Sequence, residues 1–206
     1  NLIGGRGVTL KNIPARTMQA MKFPDAPYSL KMACGENPKR VYGGRNQAPS
    51  TRMGNVAGYR AAWIKAAAYK RKWDNYYAKL DLGEEADVPD RDLEMDTLAE
   101  ALRGNILVHN HCYHAEEMAV MIDLAKEFGY QITAFHHAVE AYKIADLLRK
   151  ENICSAMWAD WWGFKLEAFD GINENIPMVA AAGACAIVHS DSDVGIQRLN
   201  QEAAKA

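Results

Sequence analysis

Long apolar runs are missing from this chain. No stretch approaches the roughly 20 consecutive apolar residues that a bilayer-spanning helix requires, so no membrane-embedded class is expected. A charge excess of one sign is missing too. The 24 Lys and Arg stand against 26 Asp and Glu, for a formal net charge of -2, which argues against nucleic acid or a membrane surface as an overall electrostatic partner. Cysteine is sparse: Cys34, Cys112, Cys154 and Cys185 lie far apart, with no CxxC pair. Three of them sit in apolar, strand-like segments, where a reduced buried thiol is the expected state and a disulfide framework is not. No GK[ST] step follows "GGRG" at Gly4 to Gly7, so that stretch reads as a turn rather than a phosphate loop. An initiator Met and a signal peptide are absent from "NLIGGRGVTL", and "QRLNQEAAKA" carries no helix stop. Both ends are therefore expected to be cut from a longer, bacterial-type soluble chain. Its compartment is left at cytoplasmic by default, since any targeting signal would lie upstream.

What is present is length enough for a real core and a regular beat. At 206 residues, 49% of them hydrophobic, the chain suits one large domain or two small ones. From Pro89 onward, strand-like and helix-like segments alternate. A helix is expected from about Asp92 to Arg103, with Met95, Leu98 and Leu102 on one face and Gly104 as its stop. Strand "NILVHNH" follows, then a helix over Ala115 to Phe128. "YQITAFHH" and helix "AVEAYKIADLLRKE" come next, then strand "ICSAMWAD", a helix over Ile172 to Ala182, strand "ACAIVHSD", and a last helix from near Val194. This is the βα pattern of a parallel sheet. In the first ninety residues "YSLKMACG" reads as a strand with Lys31 at its centre, "GVTLK" as a second, and Gly54 to Lys79 as a long aromatic helix.

That helix lies in a basic stretch. Residues 45 to 79 hold eight Lys or Arg against one Asp, and residues 81 to 100 hold nine Asp or Glu against one Arg. Such a basic, aromatic helix has the composition of a nucleic-acid stacking surface. The acidic stretch just downstream favours mutual compensation instead, with the aromatics packed on the sheet.

Six histidines occur, and His109, His111 and His114 fall within "GNILVHNHCYHAEEM". The four consecutive strand ends read HNHCYH, FHHAVE, WADWWG and HSDSD. In parallel α/β folds, and above all in the TIM barrel, the carboxyl ends of the strands converge on one face. Imidazoles and carboxylates are the usual ligands of zinc and related divalent ions. His109, His137 and Asp191, one from each of three strand ends, suit such a site, while a single histidine at such a place more often makes only a structural hydrogen bond.

"LVHNHCYHAEEM", "ITAFHHAVEAYKIADLL", "SLKMACGENPKRVYG" and "IVHSDSDVGIQRLNQEAAKA" together resemble the amidohydrolase superfamily, specifically the imidazolonepropionase-related amidohydrolases. The resemblance covers the chain from about Gly4. It implies an α/β fold: residues 1 to 206 as one partial, metal-dependent TIM-type (β/α)8 barrel, about strands 4 to 8. It implies His109 and His137 as metal ligands with His136 as a neighbour, and Asp191 as both ligand and general base with Asp193 behind it. Lys31, carboxylated on its amine, would bridge two metals, with Glu36 as the alternative. The implied cofactor is one or two divalent ions, zinc first. His111, Tyr113, His114 and Trp161 are expected to face substrate, beside Trp162. Asp160 is the second choice of acid, and Cys112 is expected to pack rather than react.

The resemblance is incomplete at the front. The family's strand-1 His-x-His pair is absent, since none precedes His109, and so is the small β-sandwich that flanks the barrel. The expected function is metal-dependent hydrolysis of C–N bonds in small amides, cyclic amides or peptide-like molecules, with little turnover by these 206 residues alone. A homo-oligomer that completes the barrel is also expected. The competing expectation is a non-catalytic half-barrel or oligomerising module with at most weak metal binding.

Overall fold

The chain, described over all 206 residues in a computed structural model, is built on one six-stranded mixed sheet. Its strands are β1 (Ile3–Gly7), β2 (Ser29–Ala33), β3 (Leu107–Cys112), β4 (Ile132–His137), β5 (Cys154–Met157) and β6 (Ala186–Val188). They lie in sequence order; β1 runs antiparallel to β2, and β2 through β6 are parallel. The helices are α1 (Met18–Met21), α2 (Glu36–Gly43), α3 (Arg52–Asp81), α4 (Leu93–Leu102), α5 (Ala115–Phe128), α6 (Ala145–Lys150), α7 (Asn175–Ala181) and α8 (Leu199–Lys205). No helix is long and apolar enough to cross a membrane.

Local signals explain most boundaries. The Asp92 carboxylate caps α4 by accepting from the Glu94 and Met95 amides at 2.9 and 3.1 Å, and Thr51 caps α3 by accepting from the Gly54 amide at 3.0 Å. Gly129 closes α5 with φ of 75°, which a residue without Cβ adopts at no cost. The segment expected as one helix after β4 divides into a 3-10 turn over Ala141–Ile144 and the short α6. The strand expected at "GVTLK" lies a few residues earlier, at β1. Helix α2, at "ENPKRVYG", carries no apolar period to announce it.

The core lies between the sheet and its helices. Leu30 and Met32 of β2, Val108 of β3, Phe135 of β4 and Met157 of β5 are fully buried there with Met118 and Leu148. Helix α3 adds Tyr59, Trp63 and Ala66, one turn apart, and Trp63 stacks on Tyr130 with ring centroids 4.4 Å apart. Further along α3, Trp73, Tyr76 and Tyr77 pack on one another. Charge compensation takes another route than expected. Arg52 and Arg60 reach glutamates of α5 at 3.2 and 2.7 Å, and Lys70 pairs with Asp74 of its own helix. The acidic stretch after α3 does not supply these partners; its Asp96 instead accepts from the Tyr69 hydroxyl of α3 at 2.6 Å and pairs with Arg91 at 2.8 Å.

The cysteines correct the sequence reading. Cys34 is bonded to Cys112 and Cys154 to Cys185, with Cα separations of 5.2 and 4.4 Å. Each pair sits at directly facing positions of neighbouring parallel chains: Ala33 pairs with His111 and Ser155 with Ala186, so the cysteines one residue away face each other. Adjacent strands place Cα atoms within the range a disulfide needs. Spacing along the sequence, 78 and 31 residues, gives no hint of this.

Candidate metal centre

The parallel register lines up the polar strand ends. Lys31 pairs with His109, and one rung on, Ala33, His111, His136 and Ala156 form a row across four strands. Period-two alternation turns the intervening residues to the helix-covered core and leaves Lys31, His109, His111 and His136 on the other face, while His137, the last residue of β4, reaches the same cavity through a backbone with φ of 72°. A polar cavity of about 620 Å³ opens there, lined by Lys31, His111, His136, His137, His189 and Asp191, with Asn37, Arg40, Tyr113 and Lys165 around its rim.

The rings are close. The His137 ring centre lies 4.5 Å from that of His111 and 5.1 Å from that of His189. Its Nδ1 is 3.6 Å from the Asp191 carboxylate, too far for a hydrogen bond. Both His137 Nδ1 and His189 Nε2 are buried without any hydrogen-bond partner. His111 Nε2 meets the Asn37 side chain at 3.0 Å, and Trp158 stacks on His189 with centroids 5.5 Å apart.

Burial favours neutral imidazoles. It lowers His111 and His136 to about 3, helped by nearby cations such as Lys165 and Lys31, and holds His137 far below the ordinary range. His189 is lowered by the same desolvation, against the pull of Asp191. Burial also lowers the Lys31 ammonium, partly offset by Asp191. The backbone is constrained where these groups sit. His137, Ala138 and Asp191 adopt φ of 72°, 38° and 51°, a region that residues with a Cβ avoid and that clusters at functional sites.

Comparison with known proteins then places the chain. No family model matches it. Amidohydrolase tasK of Hapsidospora irregularis is 33% identical over 222 residues, taking in all of this chain and 23% of that protein. The crystal structure of an amidohydrolase from Thermotoga maritima MSB8 superposes with a TM-score of 0.83 at 32% identity, covering 94% of this chain and 49% of that one. Over essentially its whole length the chain is similar to these two amidohydrolases. It spans about a quarter and about half, respectively, of these two relatives.

Within this chain the expected residues divide. Lys31, His111, Tyr113, His137 and Asp191 line the one cavity, together with Glu36 and His136. His109 lies one rung deeper on β3, its Nδ1 2.8 Å from His136 Nε2, and does not line the cavity. His114 turns away to Glu140, whose carboxylate it meets at 3.0 Å. That buried carboxylate also accepts from the Ala115 amide at 2.9 Å and so caps α5. Trp161 borders a smaller neighbouring cavity with Trp158 and His189. Asp193 caps its own turn through the Val194 amide, and Asp160 is held by Lys205 at 2.6 Å. Sequence reasoning missed His189, Asn37 and Lys165. His189 directly precedes the Ser-Asp step of "VHSD" and was legible there; Asn37 and Lys165 reach the cavity from α2 and from the loop after β5, where no pattern marks them.

Proposed function

We propose that this chain is the ligand-bearing part of a metal-dependent hydrolase of C–N bonds, of the imidazolonepropionase-related kind, and that its sheet forms about strands 4 to 8 of a (β/α)8 barrel. The observation that carries the reading is the set of neutral imidazoles around His137, with two buried ring nitrogens that no protein group satisfies, facing the Asp191 carboxylate. Buried polar atoms without partners are rare and call for a ligand, and neutral imidazole with carboxylate is the donor set of zinc and its neighbours.

His137 and Asp191 would hold the ion, with His111 and His189 in reach and His109 supporting from the rung below through His136. Lys31, whose ammonium burial disfavours, lines the same cavity and would add a further oxygen ligand were its amine carboxylated. A bound divalent ion supplies Lewis acidity, which activates water near neutral pH. Asp191 takes the proton of the attacking water and delivers it to the leaving nitrogen. Tyr113, whose pKa burial raises, stays a phenol and donates to the carbonyl oxygen of a small amide or peptide-like substrate. Phe164 lines the cavity and stacks at 4.9 Å on Trp161, which borders the neighbouring one.

A second reading rests on β6, which pairs only with β5 and leaves Ile187 42% exposed. An open edge of this kind favours closure by another segment or a second copy, so turnover by the 206 residues alone is expected to be low. Elemental analysis of the purified chain for zinc, manganese, iron and nickel tests the proposal. Near-stoichiometric metal that disappears on His137→Ala supports it. A metal-free chain sinks the claim that these residues form a working centre. Hydrolysis of an amide and dipeptide panel, abolished by Asp191→Asn, would overturn the expectation of low turnover.

A further inference from the structure

The Cys34–Cys112 pair is not an isolated crosslink. Glu117, in the first turn of α5, brings its Oε2 to 4.0 Å from Cys34 Sγ, and the two sulfurs and this oxygen all lie within 4.8 Å of one another. Zinc–sulfur bonds of about 2.3 Å and zinc–oxygen bonds of about 2.0 Å in a tetrahedral site put neighbouring donors roughly 3.5 to 3.8 Å apart. The carboxylate oxygen is thus within about one ångström of a chelating distance from either sulfur, while the two sulfurs, about 2.0 Å apart in a disulfide, would separate by roughly 1.5 to 1.8 Å once their bond is opened. A fourth candidate donor borders the same cavity as Cys34 and Glu117. Asn55 is 2% exposed, its Nδ2 donates to the Gly35 carbonyl at 2.9 Å, and its Oδ1 is buried with no partner at all.

Cys34, Asn55 and Glu117 border one small cavity of about 230 Å³ between α3 and α5, opening to the surface beside Met53. It shares no lining residue with the histidine cavity. The other cysteine pair provides a built-in contrast, because no carboxylate or imidazole stands near Cys154 and Cys185 to complete a ligand set.

We propose that reduction of the Cys34–Cys112 bond creates a second metal site, in which the two thiolates, the Glu117 carboxylate and the Asn55 amide oxygen bind a zinc-like or softer divalent ion. The chemistry balances with a dithiol or phosphine as reductant. With a phosphine and one water, the disulfide gives two thiols and the phosphine oxide; binding of the ion then releases two protons from the thiols. Sulfur donors select zinc and softer ions over magnesium or calcium, so this site differs in preference from the nitrogen- and oxygen-rich cavity on the other face. The oxidised chain has no such site, which makes metal uptake here dependent on redox state.

The test uses the whole chain carrying Cys154→Ser and Cys185→Ser, freed of metal by a chelator and titrated with cadmium chloride, with and without a phosphine. The expected result is one more cadmium per reduced chain than per oxidised chain, the thiolate-to-cadmium charge-transfer band in the reduced chain alone, and displacement by zinc. Glu117→Gln, which keeps the shape and leaves the cysteines intact, should weaken cadmium binding by about tenfold or more, with an unchanged circular dichroism spectrum. His137→Ala should keep the band, and Cys112→Ala should lose it. The proposal is overturned if the thiol count stays at zero under the phosphine, if the reduced chain shows no band, or if Glu117→Gln binds as tightly as its parent.

Discussion

The two faces of the sheet are made from alternate residues of the same strands and have opposite physics. On the helix-covered face, Leu30, Met32, Val108, Phe135 and Met157 are fully buried within one apolar cluster. On the cavity face, Lys31, His109, His111 and His136 are enclosed enough to lose water without gaining a full set of partners. The first face supplies burial free energy. The second costs some of it, through desolvated imidazoles and the positive-φ residues at the end of β4. For these residues stability and chemistry are separated by 180° of side-chain direction rather than by distance along the chain; His137 and Asp191 join the cavity instead through positive-φ backbone beyond the regular alternation.

The largest expected effect comes from acid acting on the cavity face. Unfolded imidazoles titrate near about 6.5, whereas folded His111 and His136 are lowered to about 3. Between those values the unfolded chain binds more protons. Stability in the metal-free chain is therefore complete above about pH 6.5 and falls as pH drops towards about 3, each such imidazole contributing up to about 1.4 kcal/mol per pH unit. Denaturant midpoints measured in chelator across that window check it, and a flat profile would mean that the cavity is wetter than described.

Next is Trp63→Ala on the helix-covered face, expected to cost about 3–5 kcal/mol because the ring is wholly buried against Tyr130. Its denaturation midpoint should drop while metal content of the surviving folded protein stays the same. Loss of metal at once would show that the two faces are coupled. Glu140→Gln lies at the junction of the faces. It replaces an acceptor-only carboxylate that serves His114 and the Ala115 amide, and is expected to cost about 1–3 kcal/mol. Smallest is Asp92→Ala, remote from the cavity, at about 1 kcal/mol for a lost cap. Thermal melts rank these two, and the order reverses only if Glu140 is far less enclosed than its burial implies.

Much of this was legible beforehand because periodicity and caps are local. The alternation after Pro89 gave β3 through β6 and α4, α5 and α7 to within a few residues, since apolar period and stop signals coincide at Gly104 and Gly129. Helix α2 was not legible, because "ENPKRVYG" buries only Pro38 and shows no apolar stripe. For the site, His137 and Asp191 were marked by their places at strand ends and Lys31 by the family resemblance, and the three meet in one cavity. His109 and His111 were indistinguishable by pattern, being two residues apart on the same face. Depth in the cavity separates them, and depth is set by how far β3 runs beside β4 and where its register shifts, between Val108 and His109.

The sequence by itself determined the alternation of strands and helices, the polar character of the strand ends and the near-neutral charge, because each follows from neighbours along the chain. Tertiary structure alone decided which imidazole nitrogens were left unpartnered, that Lys165 and Asn37 reach the cavity, and that four distant cysteines meet as two pairs. Those outcomes depend on the register between strands, and register is settled by how whole faces pack against the helices.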